Sequence, residues 1–117
     1  MQLSLGVRPL LTYMTSQVGD IFERLARTFL SAHPEVRHEW KERSSWWSGT
    51  DQYLVCDPSG PGEVWASYSP SSVAVGTTGE HEDFEDFGQF SDEQVAQQAF
   101  ARFRELLQAH GQVDRAV

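Results

Sequence analysis

The chain has 117 residues, of which 39% are hydrophobic, 12% aromatic and 22% charged, a balance that specifies a single globular domain rather than a disordered segment. Nine basic against 17 acidic residues give a formal net charge of −8, which argues against a nucleic-acid phosphate backbone as partner; no run approaches the roughly 18 apolar residues needed to cross a membrane. A single cysteine, Cys56, excludes an internal disulfide and fits a reducing, cytoplasmic setting.

Residues 1–15 (MQLSLGVRPLLTYMT) read as a poorly patterned lead-in without the apolar core of a signal peptide. Met14 stands just before a clean helical pattern, so an alternative reading starts the protein there and makes residues 1–13 an upstream extension. From Ser16 to His33 the apolar positions Val18, Ile21, Phe22, Leu25, Phe29 and Ala32 fall on one stripe, and Pro34 ends the helix. Glu23 lies four residues before Arg27, the favourable order for a surface pair.

The period then changes to two. Val36, His38, Trp40 and Glu42 alternate with Arg37, Glu39, Lys41 and Arg43, which describes a strand with one wet, charged face. A turn at 48–51 leads to a second strand over Gln52–Cys56, and the Pro/Gly-rich stretch 58–62 is a loop. Glu63–Ser69 alternates again, with Val64, Ala66 and Tyr68 on one face and Trp65 on the other; a break at 69–71 precedes a fourth strand over Ser72–Thr78. Short loops between successive strands favour an antiparallel meander. Ser91-Asp92-Glu93-Gln94 is a capping box, and Val95, Ala99, Phe100, Phe103, Leu106 and Leu107 make the stripe of a closing helix that Gly111 caps. The expected fold is therefore α+β: a four-stranded antiparallel meander over residues 16–111 with the N- and C-terminal helices packed on one face, followed by a frayed tail at 112–117.

Glu80, Glu82, Asp83, Glu85, Asp86, Asp92 and Glu93 stand together without a lysine or arginine, which leaves ten acids against nine bases elsewhere. Essentially the whole charge excess is local. Phe84, Phe87 and Phe90 run through the same segment, so it is acidic and aromatic together. Two readings follow: a solvated loop pinned to the core by its phenylalanines, or a docking surface whose clustered charge steers a cationic partner. Four tryptophans, Trp40, Trp46, Trp47 and Trp65, lie in the sheet region. With helices on one face, some of these rings belong to the open face, as stacking platforms or protein contacts.

Enzymatic motifs are missing. No two of His33, His38, His81 and His110 have the i, i+4 spacing of a helical metal site, and Glu80-His81-Glu82-Asp83 lacks the glycine-centred spacing of a calcium loop. There is no nucleophile elbow, phosphate-cradling loop or dinucleotide fingerprint, and the sequence implies no cofactor. A Cys56–His38 or Cys56–His81 dyad is the remaining nucleophilic arrangement.

The order of a leading helix, a meander ending in Ser72-Val73-Ala74-Val75-Gly76, the segment Glu80-His81-Glu82-Asp83-Phe84 and a closing helix resembles bacterial immunity-type proteins, which bind and neutralise a cognate toxin domain. That resemblance spans residues 16–110 and implies a non-enzymatic cytoplasmic protein that docks a basic partner. The contact patch would be Glu80, His81, Glu82, Asp83, Phe84, Glu85 and Asp86, joined by Trp46 and Trp47. Chaperones of type III secretion effectors, which are small, acidic, dimeric α+β proteins, are similar as well, although they carry more elements after the second helix. A small enzyme or ligand carrier using His38, His81 or Cys56, and a homodimer joined through open sheet faces, are the other readings.

Overall fold

A computed structural model of the chain describes residues 17–45, 49–57, 63–77, 79–85 and 90–113, with only the backbone at 43–45, 49–51 and 85. The order is α1 (Val18–Ala32), β1 (His38–Ser45), β2 (Gly49–Cys56), β3 (Val64–Ser69), β4 (Ser72–Thr77), β5 (Glu80–Glu85) and α2 (Asp92–Ala109). The strands form one antiparallel sheet in sequence order, β1-β2-β3-β4-β5. The α+β meander is thus as expected, but with five strands instead of four. The added strand is the acidic segment, which its carboxylates and histidine make a poor strand former by propensity. Tertiary pairing decides otherwise: Gly79, at φ +88°, turns the chain back, and residues 80–85 take the free edge of β4 from Thr77↔Glu80 to Ser72↔Glu85.

Period-two alternation sorts the strand residues between two faces. Leu54, Cys56, Val64, Ala66, Tyr68, Val73 and Val75 lie under the helices in one core with Phe22, Phe103 and Leu107. Phe22 is the hub, with its ring centroid 5.5 Å from Tyr68 and 5.8 Å from Phe103. Burying a side chain of this size contributes roughly 1.5–3 kcal/mol. On α1 the buried stripe is Val18, Gly19, Ile21, Phe22, Ala26 and Leu30; Leu25 and Phe29 pack at its margin, whereas Ala32 is exposed.

Both halves of the capping box form at Ser91, whose side chain accepts from the Gln94 amide while the Gln94 side chain accepts from the Ser91 amide. At the other end of α2, Gly111 adopts φ +74°, its amide donates to Gln108 and that of Gln112 to Leu107. This pair of bonds is a Schellman cap. It folds the chain back so that Val113 is buried in the core. The expected fraying from residue 112 therefore does not begin before Val113; residues 114–117 lie outside the described residues.

One polar stitch ties α1 to the sheet. The hydroxyl of buried Tyr68 donates to Glu23 at 2.8 Å, Arg27 donates to the other Glu23 oxygen at 2.8 Å, and the Arg27 guanidinium lies 4.0 Å over the Trp40 ring. Partial burial works to raise the Glu23 pKa, but the hydrogen bonds from Arg27 and Tyr68 prevail and hold it below its usual 4.5. A carboxyl with a depressed folded-state pKa adds stability above its unfolded value and loses it as pH falls through the folded value. Wild type and Glu23→Gln should therefore differ most at neutral pH in urea melts and converge as the pH falls below that range. Tyr68→Phe should lose about 1 kcal/mol at neutral pH.

Candidate functional site

The strand at 80–85 divides the acidic segment between two surfaces. Glu80, Glu82 and Phe84 register with Thr77, Val75 and Val73, and so share the helix-bearing face. There Arg102 of α2 reaches Glu80 at 3.2 Å and Glu82 at 3.4 Å, and also Glu105 at 3.3 Å, while Phe84 packs against the core. His81 and Asp83 register with Gly76 and Ala74 on the opposite face, where they pair at 2.8 Å. The expected single acidic-aromatic patch is accordingly corrected to two half-patches, one of them already answered by the protein's own arginine. The alternation was visible in the sequence; the Arg102 contact, made across the fold, was not. Glu85 is described by backbone only, and Asp86, Trp46 and Trp47 lie outside the described residues. Phe90 is exposed, and Phe87 is outside them as well.

The face without helices carries an aromatic row that crosses the sheet. Following the registers, Glu39, Val55, Trp65, Gly76 and His81 form one line and Lys41, Tyr53, Ser67, Ala74 and Asp83 the next. The Tyr53 and Trp65 rings stack with centroids 6.2 Å apart and planes at 25°, and the Trp65 and His81 centroids are 5.4 Å apart. Gly76 is what lets Trp65 lie across β4, because a Cβ at that position would come within 2.8 Å of Trp65 Cζ2. Val55 is buried on this face. Ser67 and Ala74, both small, leave a low floor beside the Trp65 ridge, with Tyr53 at one end and exposed Asp83 at the other. Trp65 belongs to the open face as its alternation with Val64, Ala66 and Tyr68 predicts. Trp40 belongs to the other face and is held under Arg27.

The nucleophilic arrangement is partly assembled. His38 is the register partner of Cys56, but its Nδ1 donates to the Val36 carbonyl at 3.1 Å and no hydrogen bond joins the two side chains. Burial, with a smaller contribution from the Asp57 carboxylate, pushes the Cys56 thiol up to about 12, which keeps it protonated and a poor nucleophile. His81 lies on the far side of the sheet from both.

Three clefts among the described residues bear on the remaining readings. One of about 220 Å³ is bounded by Arg27, Leu30, Ser31, His38 and Trp40. Another of about 130 Å³ lies at Glu80, Glu82, Arg102 and Leu106 and also touches His81, and a third of about 370 Å³ lies at Glu35, Arg37, Asp57 and His110. None of the three brings together two of His38, His81 and Cys56. Among the described residues, no three His, Cys, Asp or Glu side chains are grouped to hold a metal ion, and no helix is long and apolar enough to cross a membrane. Set against known families, characterised proteins and solved structures, the chain shows no significant match to any of them.

Proposed function

We propose that the protein is a non-enzymatic binding domain that holds a basic protein partner on the uncovered face of its sheet, as an immunity-type protein holds a toxin. The observation that carries this reading is Trp65, stacked with Tyr53 and tilted against His81 over Gly76, with Asp83 alongside. An arginine or lysine laid on the Ser67–Ala74 floor meets the Trp65 ring, the best side chain for a cation–π contact, and Asp83 is positioned to take up its charge. Tryptophan and tyrosine are also the residues that most often dominate protein interfaces. The net charge of −8 speeds the approach of a cationic partner and repels phosphate.

The test uses an oligo-arginine peptide titrated into the protein and followed by tryptophan fluorescence and calorimetry. Wild type should bind it with an affinity that falls as salt rises, and should bind neither an oligo-glutamate peptide nor a single-stranded oligonucleotide. Trp65→Ala should weaken oligo-arginine binding about tenfold or more, and Asp83→Asn should weaken it less. Equal affinity for wild type and Trp65→Ala would overturn the proposal, since binding would then reflect net charge alone.

A further inference from the structure

The five-stranded sheet has two edges, and their chemistry differs. Among the described residues, β1 and β5 each pair with one neighbour only, so each presents a row of backbone groups to an added strand. The described charges of β5 are Glu80, Glu82 and Asp83, beside His81, with no lysine or arginine. Two such edges laid side by side bring carboxylates together, so β5 is protected from its own copy. β1 carries both signs: Glu39 and Lys41 are about half exposed and 3.4 Å apart on the open face, while His38, half-buried Trp40 and Glu42 lie on the helix-bearing face.

From this difference we infer that β1 pairs with β1 of a second copy, joining two sheets into one across a two-fold axis at Trp40. A two-fold axis perpendicular to a sheet must set one residue of the edge strand opposite its own copy. Centred on Glu39, Lys41 or Glu42, the pairing puts like charges face to face, which destabilises it. Centred on Trp40, it sets Glu39 opposite the second copy's Lys41, Lys41 opposite the second copy's Glu39, and His38 opposite Glu42. The two tryptophans meet at the axis. Of these four registers, this alone sets no charged residue opposite its own copy. Because the axis is perpendicular to the sheet, both Trp65 shelves face the same way. The inference rests on the edge of the sheet and stands or falls separately from the binding proposed for its face.

The experiment is sedimentation velocity of the full chain and two charge reversals, Glu39→Lys and Lys41→Glu, from micromolar to near-millimolar concentration. Wild type should form a dimer. Each variant alone places like charges at both symmetric positions and should dimerise about tenfold or more weakly. An equimolar mixture of the two variants should restore the dimer, because a strand with lysine at both positions then faces a strand with glutamate at both. Circular dichroism of each variant checks that the fold persists, as expected for exposed sites. Monomeric wild type throughout the range overturns the inference, and so does a dimer that both single variants leave intact or that their mixture fails to restore.

Discussion

Gly19→Ala should destabilise the protein by about 3 kcal/mol and lower its melting temperature by about 10 °C or more. Gly19 sits in the first turn of α1, its amide donating to the Pro70 carbonyl at 3.2 Å, and a Cβ there would collide with the Ser69 carbonyl oxygen and approach its carbon to 2.8 Å. Both are backbone atoms of the β3–β4 turn and cannot rotate away. Either α1 lifts from the sheet or the turn moves, and Phe22 and Ile21 lose contacts with it. The sign makes the test sharp. In an unobstructed helical position, alanine is better than glycine by about 1 kcal/mol, so a stabilised Gly19→Ala would show that α1 does not meet this turn. Gly111→Ala provides the contrast: its φ of +74° is strained for alanine, yet nothing lies within 4 Å of the added carbon. It should cost about 1 kcal/mol. Thermal melts by circular dichroism would rank the three proteins.

Gly76→Ala should have the second large effect, on stability and binding at once. The added methyl points to the open face, into the Glu80 carbonyl oxygen across the β4–β5 pair and to within 2.8 Å of Trp65 Cζ2. The collision with Glu80 loosens the last hairpin, at a cost of about 2–3 kcal/mol. The collision with the ring tips Trp65 out of its stack with Tyr53 and away from His81. Tryptophan fluorescence and near-ultraviolet dichroism should change in the folded protein, and oligo-arginine binding should fall although Trp65 is still present. Combining Gly76→Ala with Trp65→Ala removes one clash and leaves the other, so the double variant should be less destabilised than the sum of the single ones. Strict additivity would mean that glycine and ring do not touch.

Both helices and the first four strands could be read from periodicity, because each buries one face and the pattern of burial is local. The capping box at Ser91 and the cap at Gly111 could be read for the same reason: their hydrogen bonds run between residues within a few positions of each other. β5 could not be read in the same way. Its residues favour solvent, and it is a strand because β4 offers a free edge and Gly79 supplies a turn. Its alternation was already present, with Glu80, Glu82 and Phe84 against His81 and Asp83. What hides it is its charge, since a stretch of acids with no lysine or arginine favours water whatever its alternation. Arg102, which answers two of those acids, stands well along the chain on α2 and has no local signature. The aromatic row has the same character. Tyr53, Trp65, Gly76 and His81 come from four strands, and only the registers bring them into line.

The first and last helices of this fold pack against each other as well as against the sheet they share. During synthesis the meander leaves the ribosome between them, hairpin by hairpin, each new strand docking on its predecessor. Phe103 and Leu107 are made only after all five strands. Until they emerge, Leu54, Val64 and Val75 have half their cover, and the nascent chain is a sheet with a greasy side exposed. Closure of the core therefore waits for α2, which makes the growing polypeptide a client for chaperones that shield apolar surface.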